Sequence, residues 1–182
     1  KFFSRTGLIT AAILLSFSLE TLACTGFYVG KDVSEDGSVM IARTEDITSY
    51  SPKRFVVHPA ADHAEGDMFK DAHGLAFPMP AHTYRYTATP ASEHKGTGAA
   101  PFGAAGFNEL GVAATSTITA YPNDRVISAD PFVKTGLYEH SCNDIILSQA
   151  TSARHGIEIV AEIVDNYGSG EGNIIMTADE NE

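Results

Sequence analysis

An apolar run close to the start of the chain determines how much of the sequence has to fold. Residues 8–15 are apolar apart from one threonine, follow the basic residues Lys1 and Arg5, and precede the small residue Ala23. A short basic region, an apolar run and a small residue before the cleavage site are typical of a secretory signal peptide. The run is shorter than the roughly 20 apolar residues that a transmembrane helix needs. We therefore predict that residues 1–23 are a signal peptide, and that the mature protein is secreted or periplasmic with no stable membrane span.

The charge and composition of the chain favour one acidic globular domain. The 182 residues carry a net charge of −11, with 43% hydrophobic and 19% charged residues. This length and composition are ordinary for a single domain with a sizeable core. Proteins that bind nucleic acids contact the phosphates through clustered Lys and Arg, so we expect no nucleic-acid partner. The acidity is explained most simply by solubility.

The start of the mature region has the pattern of a β-hairpin. Residues 25–29 and 38–42 are short β patterns, and the polar loop between them contains an Asp-Gly pair. Two such runs joined by a Gly-containing loop predict two paired antiparallel strands. The pairing would place Cys24 at the open end of the hairpin, opposite residues 43–46.

The remaining local patterns predict further strands and one clear helix. Residues 111–119 are small or β-branched, which favours a buried strand. Residues 152–167 have an apolar stripe at helical spacing, with Ser as a candidate N-cap and Gly after the last turn. The other predicted elements are strands at 54–58, 84–88 and 173–177, helices at 130–138 and 143–150, and long loops over most of 60–101. No internal repeat and no linker divides the chain, which favours a single domain.

The sequence contains no recognisable metal or cofactor motif. Residues 32–37 resemble the start of a calcium-binding loop, but the twelfth position, which needs a bidentate Glu, is Arg43. Five of the seven histidines lie at scattered positions of the irregular region: His58, His63, His73, His82 and His94. Zinc sites place their ligands at closer and more regular spacings. The prediction is no metal site and no cofactor.

Cys24 is the residue with the clearest chemical potential. Cleavage after Ala23 would give it a free α-amine, whose reference pKa of about 8 lets it accept the thiol proton near neutral pH. Nucleophilic attack on a carbonyl also needs a cation beside the sulfur and donors for the developing oxyanion. Arg43 is the candidate cation, Asp46 the candidate partner for the ammonium or for Arg43, and Asn108 the candidate oxyanion donor.

Two other fates for Cys24 follow from its position. The chain has one other cysteine, Cys142, and two cysteines in an exported chain can form a disulfide. A cysteine directly after a signal can also carry a lipid anchor. Lipoprotein signals usually have Leu three residues before the cysteine and a small residue two before it, where this chain has Thr21 and Leu22. We favour the nucleophile, with Cys142 as a buried free thiol.

An ordered series of short motifs resembles the secreted cysteine dipeptidases. These are N-terminal nucleophile hydrolases, grouped with the secernins and more distantly with penicillin V acylases and bile salt hydrolases. The matching runs cover nearly all of the mature region: 24–25 (Cys-Thr), 29–31 (Val-Gly-Lys), 36–38 (Asp-Gly-Ser), 42–46 (Ala-Arg-Thr-Glu-Asp), 56–59 (Val-Val-His-Pro), 106–113 (Gly-Phe-Asn-Glu-Leu-Gly-Val-Ala), 129–131 (Ala-Asp-Pro), 153–154 (Ala-Arg) and 178–179 (Ala-Asp).

This resemblance implies a fold and an activity. The fold would be of the α+β class, the αββα four-layer sandwich with two antiparallel sheets, of which residues 24–182 form the N-terminal part of one catalytic domain. The activity would be hydrolysis of dipeptides or short peptides through an acyl-enzyme on Cys24, with Arg43 and Asp46 beside it and Asn108 as an oxyanion donor. The family usually has Asn where this chain has Thr44, which is expected to alter a local hydrogen bond.

Two alternatives stay open at this point. The same fold could hydrolyse a linear amide such as penicillin V or a conjugated bile acid. A non-enzymatic binding protein, with Cys24 lipidated or bonded to Cys142, is the weaker option. Members of the family that this chain resembles are considerably longer than 182 residues, so we expect the domain to extend beyond Glu182. We also expect residues 24–182 alone to be inactive or poorly folded.

Overall fold

The computed structural model describes residues 24–46, 52–90, 103–118 and 120–182. The predicted signal peptide at 1–23 and most of the loop after residue 90 lie outside the described residues. In the described part, helices combine with several antiparallel sheets, which confirms the α+β class. None of the helices in these ranges has the length and apolar character needed to cross a membrane.

The described chain contains eleven strands and three helices. The strands are β1 (Gly26–Val29), β2 (Met40–Arg43), β3 (Val56–His58), β4 (Ala61–Asp62), β5 (Met68–Lys70), β6 (Ala76–Pro78), β7 (His82–Thr83), β8 (Tyr86–Ala88), β9 (Ala105–Phe107), β10 (Ala113–Thr117) and β11 (Ile174–Ala178). The helices are α1 (Asp124–Ala129), α2 (Glu139–Gln149) and α3 (Ala153–Tyr167).

Strands β1 and β2 form the predicted hairpin. Their antiparallel register pairs Gly26 with Arg43 and Val29 with Met40. The loop between them turns at Gly37, whose φ of 76° lies in the left-handed region that glycine adopts readily. This register places Cys24 at the open end of the hairpin, close to the end of β2, as the sequence predicts.

A three-stranded antiparallel sheet in the order β9–β10–β11 forms the centre of the structure. All five residues of β10 are buried, which confirms the buried strand predicted over this region. Both edges of β10 are paired, so full burial means that both of its faces are covered. Helices α2 and α3 pack against this sheet, and their side chains form the core with Val112 and Ala114.

The hairpin covers the other face of the central sheet. Strand β2 packs against β10 and β11, and β1 packs against β11. The approach is close enough that a Cβ on Gly26 would lie 2.5 Å from the methyl carbon of Met176. The described layers are therefore hairpin, central sheet and helices, in that order.

The region from 56 to 88 is more ordered than predicted. The sequence predicts long loops around one strand, whereas the structure has three nested antiparallel pairs, β3–β8, β4–β7 and β5–β6. We call this region the β-arm. Strands of two or three residues are too short to give a detectable alternation of polar and apolar residues, which explains the wrong prediction. The β-arm lies along α2, where the amide of Tyr84 donates to the carbonyl of Ser148 at 2.7 Å.

The helix boundaries show one confirmed and two wrong predictions. Helix α3 begins after Ser152, whose hydroxyl caps the amide of His155, and it ends at Gly168, as predicted. Helix α1 lies at 124–129 rather than 130–138, because Asn123 supplies the cap through its side chain. Helix α2 begins four residues earlier than the predicted 143, at Glu139.

Candidate active site

The structure brings Cys24 and Arg43 into direct contact. Cys24 precedes β1 and Arg43 ends β2, so the hairpin register alone places the two residues close together. Nη2 of Arg43 donates to Sγ of Cys24 at 3.3 Å. A guanidinium donor beside the sulfur is a feature of the surroundings in which nucleophilic cysteines occur. The predicted pairing of these two residues is therefore present in the geometry.

Three further groups hold the guanidinium of Arg43 in place. Nη1 donates to the backbone carbonyl of Ser116 in β10 and to Oε1 of Glu139 at 2.9 Å. Nε donates to the carbonyl of Thr44 at 3.3 Å. The side chains of Arg43 and Glu139 are each only 7% exposed. The planar, rigid fork of a guanidinium suits this role, because one side can contact a carboxylate while the other contacts the sulfur.

Glu139 is the site residue that sequence reasoning missed. It is the first residue of α2, and its backbone amide donates to Oε1 of Glu171 at 2.7 Å. The predicted helix began too late to include it. The sequence does contain a signal, since an acidic residue in the first turn before an apolar stripe is typical of a helix start. That signal identifies a helix terminus but gives no indication of a buried partner for Arg43.

The electrostatics of Glu139 reflect its burial. Burial raises the pKa of Glu139 above its ordinary value, and the neighbouring charges of Glu171 and Glu45 act in the same direction. Arg43 opposes this change but does not cancel it. A buried carboxylate with a raised pKa contributes little to stability. The pair therefore matters chiefly for where it holds the guanidinium.

Asp46 is linked to the residue next to Cys24 through the side chain of Thr44. Its Oδ2 accepts from the hydroxyl of Thr44 at 3.2 Å, and that hydroxyl oxygen accepts from the amide of Thr25 at 2.9 Å. Thr44 also donates its own amide to the carbonyl of Thr25 at 2.9 Å. The threonine that departs from the family pattern thus connects Asp46 to the residue next to Cys24. The geometry brings Asp46 to the same end of the hairpin.

Asn108 is not brought to this cluster. Its side-chain amide donates to the carbonyl of Ala150 at 2.7 Å, and its Oδ1 accepts from the amides of Leu110 and Val112, each at 3.0 Å. Val112 precedes Ser116 by four residues of extended chain, a separation of about 13 Å. In the described part of the chain, Asn108 therefore stabilises the turn before β10, and its predicted role as an oxyanion donor gains no support from the geometry.

Both cysteines are free thiols, as favoured by the sequence. Cys142 is fully buried on α2, and its thiol donates to the carbonyl of Tyr138 at 3.4 Å. Burial raises the pKa of the Cys142 thiol far above its ordinary range, so this residue is unreactive in the folded protein. Cys24 is the partly exposed thiol of the two.

Comparison with known proteins agrees with the motifs. The family model described as peptidase family C69 matches residues 23–182. A probable dipeptidase B of Streptococcus pyogenes serotype M1 is 42% identical over 172 residues, which is 92% of this chain and 34% of that protein. A probable dipeptidase of Latilactobacillus sakei is 42% identical over 166 residues, 90% of this chain and 34% of that protein.

A more distant relative extends the agreement. A dipeptidase of Bifidobacterium longum (strain NCC 2705) is 34% identical over 175 residues, which is 88% of this chain and 32% of that protein. The chain spans about one third of the length of the curated relatives it matches. The family match covers nearly all of the region in which the motifs occur, including Cys24, Arg43 and Asp46. The chain therefore belongs to peptidase family C69.

Proposed function

We propose that the protein is an exported peptidase that hydrolyses dipeptides or short peptides through an acyl-enzyme on Cys24. The observation that carries the proposal is the position of Arg43, which donates to Sγ of Cys24 at 3.3 Å while Glu139 and Ser116 hold its other side. A cysteine with a fixed cation is the arrangement that nucleophilic cysteines need.

The chemistry begins with the proton of the thiol. Once the bond after Ala23 is cleaved, the α-amine of Cys24 takes this proton, directly or through a water molecule. The thiolate sulfur attacks the scissile carbonyl carbon, a C–S bond forms, and the carbonyl electron pair moves to oxygen. Collapse of this intermediate breaks the C–N bond, and the leaving amine takes the proton from the ammonium. Water then hydrolyses the thioester, which releases the acid product and restores the thiol.

Each neighbouring residue has a separate part in these steps. Arg43 stabilises the thiolate, and Glu139 fixes the orientation of the guanidinium. Asp46 would accept a hydrogen bond from the ammonium, and its link through Thr44 to the backbone next to Cys24 supports this role. Arg43 ends β2 and Glu139 begins α2, and positions on regular elements suit a site that must align a nucleophile with a carbonyl.

The substrate class rests on the relatives. Three relatives with 34–42% identity are named as dipeptidases or probable dipeptidases, which favours dipeptides over linear amides such as penicillin V. We also propose that the complete domain is the αββα sandwich. The order of hairpin, central sheet and helices in the described residues is consistent with three of its four layers. Export follows from the basic and apolar pattern of residues 1–23.

Substitution of the two cysteines in the full-length protein tests the proposal. Cys24→Ala should abolish hydrolysis of a dipeptide panel, and Cys142→Ala is the matched control that should retain it. Intact-mass measurement of the exported protein should show Cys24 as the first residue. Retention of dipeptide turnover by Cys24→Ala, or a mature N-terminus elsewhere, would refute the mechanism. A wild-type enzyme that cleaves penicillin V but no dipeptide would refute the substrate class alone.

A further inference from the structure

Three potential metal ligands from distant parts of the sequence meet beside α2. Asp71 and His73 lie in the turn between β5 and β6, at the tip of the β-arm, and His140 is the second residue of α2. Nδ1 of His73 lies 3.2 Å from Nε2 of His140, which lies 3.5 Å from Oδ2 of Asp71. One ligand atom from each of the three residues lies within 4.8 Å of the other two.

The carboxylate of Asp71 is fixed before any ligand binds. Its Oδ1 accepts from the amides of His73 and Leu75 at 2.9 and 3.0 Å, and its Oδ2 accepts from the hydroxyl of Ser141 at 2.8 Å. The side chain is only 4% exposed. Hydrogen bonds from an outer residue to a ligating carboxylate are a regular feature of metal sites, because they orient the ligand.

The two imidazoles are also positioned. The ring of His73 stacks on Tyr138 with a centroid distance of 3.9 Å and an interplanar angle of 18°. His140 is held by its place on the first turn of α2. The three donors therefore come from two backbone segments that are already packed together, so binding needs little reorganisation.

The distances fit tetrahedral coordination. Zinc binds imidazole nitrogen and carboxylate oxygen at about 2.0–2.2 Å, which places neighbouring tetrahedral ligands about 3.3–3.5 Å apart. The observed separations of 3.2 and 3.5 Å match two of the three edges. Two imidazoles and one carboxylate suit Zn²⁺ or a neighbouring transition metal better than Ca²⁺ or Mg²⁺, which prefer all-oxygen ligands. His73 is exposed, so a water molecule can take the fourth position.

We propose that Asp71, His73 and His140 form a binding site for one divalent transition-metal ion, best matched by Zn²⁺. The ion would join the tip of the β-arm to the first turn of α2, directly beside Glu139, and would therefore stabilise the part of α2 that holds Arg43. The separation of 67 residues between the two histidines explains why no ligand spacing is visible in the sequence. Without metal, the rings of His73 and His140 can share a simple N–H···N hydrogen bond. The titration below distinguishes a metal site from such a hydrogen-bonded pair.

Zinc titration of the full-length protein tests the site. The protein is freed of metal with a chelator, titrated with ZnCl₂ against a chromophoric chelator, and titrated in parallel with CoCl₂, whose visible absorption reports tetrahedral coordination. We expect one equivalent to bind. His73→Ala and His140→Gln should each lower the affinity by more than the 10- to 100-fold that is typical of losing an outer-shell partner. Ser141→Ala, which removes such an outer partner, should fall within that range of about 10- to 100-fold.

A second His–Asp pair provides the matched control. Nδ1 of His82 lies 2.7 Å from Oδ1 of Asp62, but no third ligand in the described residues joins this pair. His82→Ala should leave zinc affinity unchanged. Because His73 is exposed, its substitution should keep the fold, which continued protection of the Cys142 thiol from alkylation would verify. Absence of stoichiometric zinc binding, undiminished affinity in folded His73→Ala, or an equal loss in His82→Ala would overturn the proposal.

Discussion

Replacement of Arg43 by methionine should slow the alkylation of Cys24. Methionine has a similar length and no charge, so Arg43→Met removes the donor 3.3 Å from Sγ while filling most of the same volume. It also leaves the carboxylate of Glu139 without its partner at 2.9 Å. The double variant Arg43→Met/Glu139→Gln removes both charges and separates the loss of the cation from the cost of an unpaired buried carboxylate.

The expected size of the effect can be worked from this contact. A hydrogen bond to a charged group contributes about 1.5–3 kcal/mol, which corresponds to a tenfold or greater change in the thiolate population. A free cysteine is about 3% ionised at pH 7, so the gain from a cation has a ceiling of roughly 30-fold. Stabilising a thiolate also lowers its intrinsic nucleophilicity, by roughly half of the stabilisation on a logarithmic scale, which offsets most of the gain in ionised fraction. Alkylation at pH 7 should therefore be about two- to fourfold slower without Arg43.

Iodoacetamide labelling followed by peptide mass spectrometry measures this rate for each cysteine separately. The fully buried Cys142 is the internal control, because its labelling reports loss of the fold rather than a change at the site. Arg154→Met is the matched variant, since it removes an exposed arginine that pairs with Glu182 far from Cys24 in sequence. It should label at the wild-type rate.

One result would refute the reasoning. If Cys24 is alkylated as fast in Arg43→Met and in the double variant as in the wild type, while Cys142 stays protected, Arg43 does not stabilise the thiolate. The contact would then be a packing feature of the hairpin end. A slow rate in the single variant that returns to the wild-type value in the double variant would identify the unpaired Glu139 as the cause.

Two further predictions concern stability. Because burial raises the pKa of Glu139 in the folded state, the free energy of unfolding of the wild type should fall relative to that of Glu139→Gln as the pH rises above the ordinary value of 4.5. Urea unfolding across this pH range measures the difference, and a trend in the opposite direction contradicts the assignment. Gly106→Ala should destabilise the fold by about 1–3 kcal/mol or more, because the added Cβ would lie 1.8 Å from the carbonyl oxygen of Thr87. Thermal unfolding measures this loss, and Gly30→Ala is the control, because its added Cβ would lie 3.4 Å from the nearest atom, Cε1 of Tyr28.

The features that sequence predicted well are those determined by neighbouring residues. The β1–β2 hairpin depends on two adjacent strands and a turn with a single left-handed glycine. Helix α3 depends on its own cap at Ser152, its apolar stripe and Gly168. Because the hairpin register is local, the meeting of Cys24 with Arg43 could also be predicted from the sequence.

The features that sequence could not predict depend on distant contacts. Glu139 is 96 residues from Arg43, and a buried glutamate is unusual enough that no local pattern indicates it. The β-arm is built from nested strands of two or three residues, which leave no periodic signal. The side chain of Asn108 contacts a turn and the end of α2, which its local motif does not indicate, and its predicted role as an oxyanion donor stays a prediction.

The side chain of Arg43 joins three layers of the fold at the candidate active site. Its guanidinium extends from the hairpin to the carbonyl of Ser116 in the central sheet, to Glu139 at the start of α2 and to the sulfur of Cys24. The raised pKa of Glu139 shows that burial, together with the charges of Glu171 and Glu45, outweighs Arg43 at this carboxyl, so stability is a weak explanation for the ion pair. Orientation is a better explanation, because a guanidinium held by a carboxylate and two backbone carbonyls presents its Nη2 to the nucleophile. Shifts of α2 relative to the central sheet should therefore affect the reactivity of Cys24 before they affect the hairpin itself.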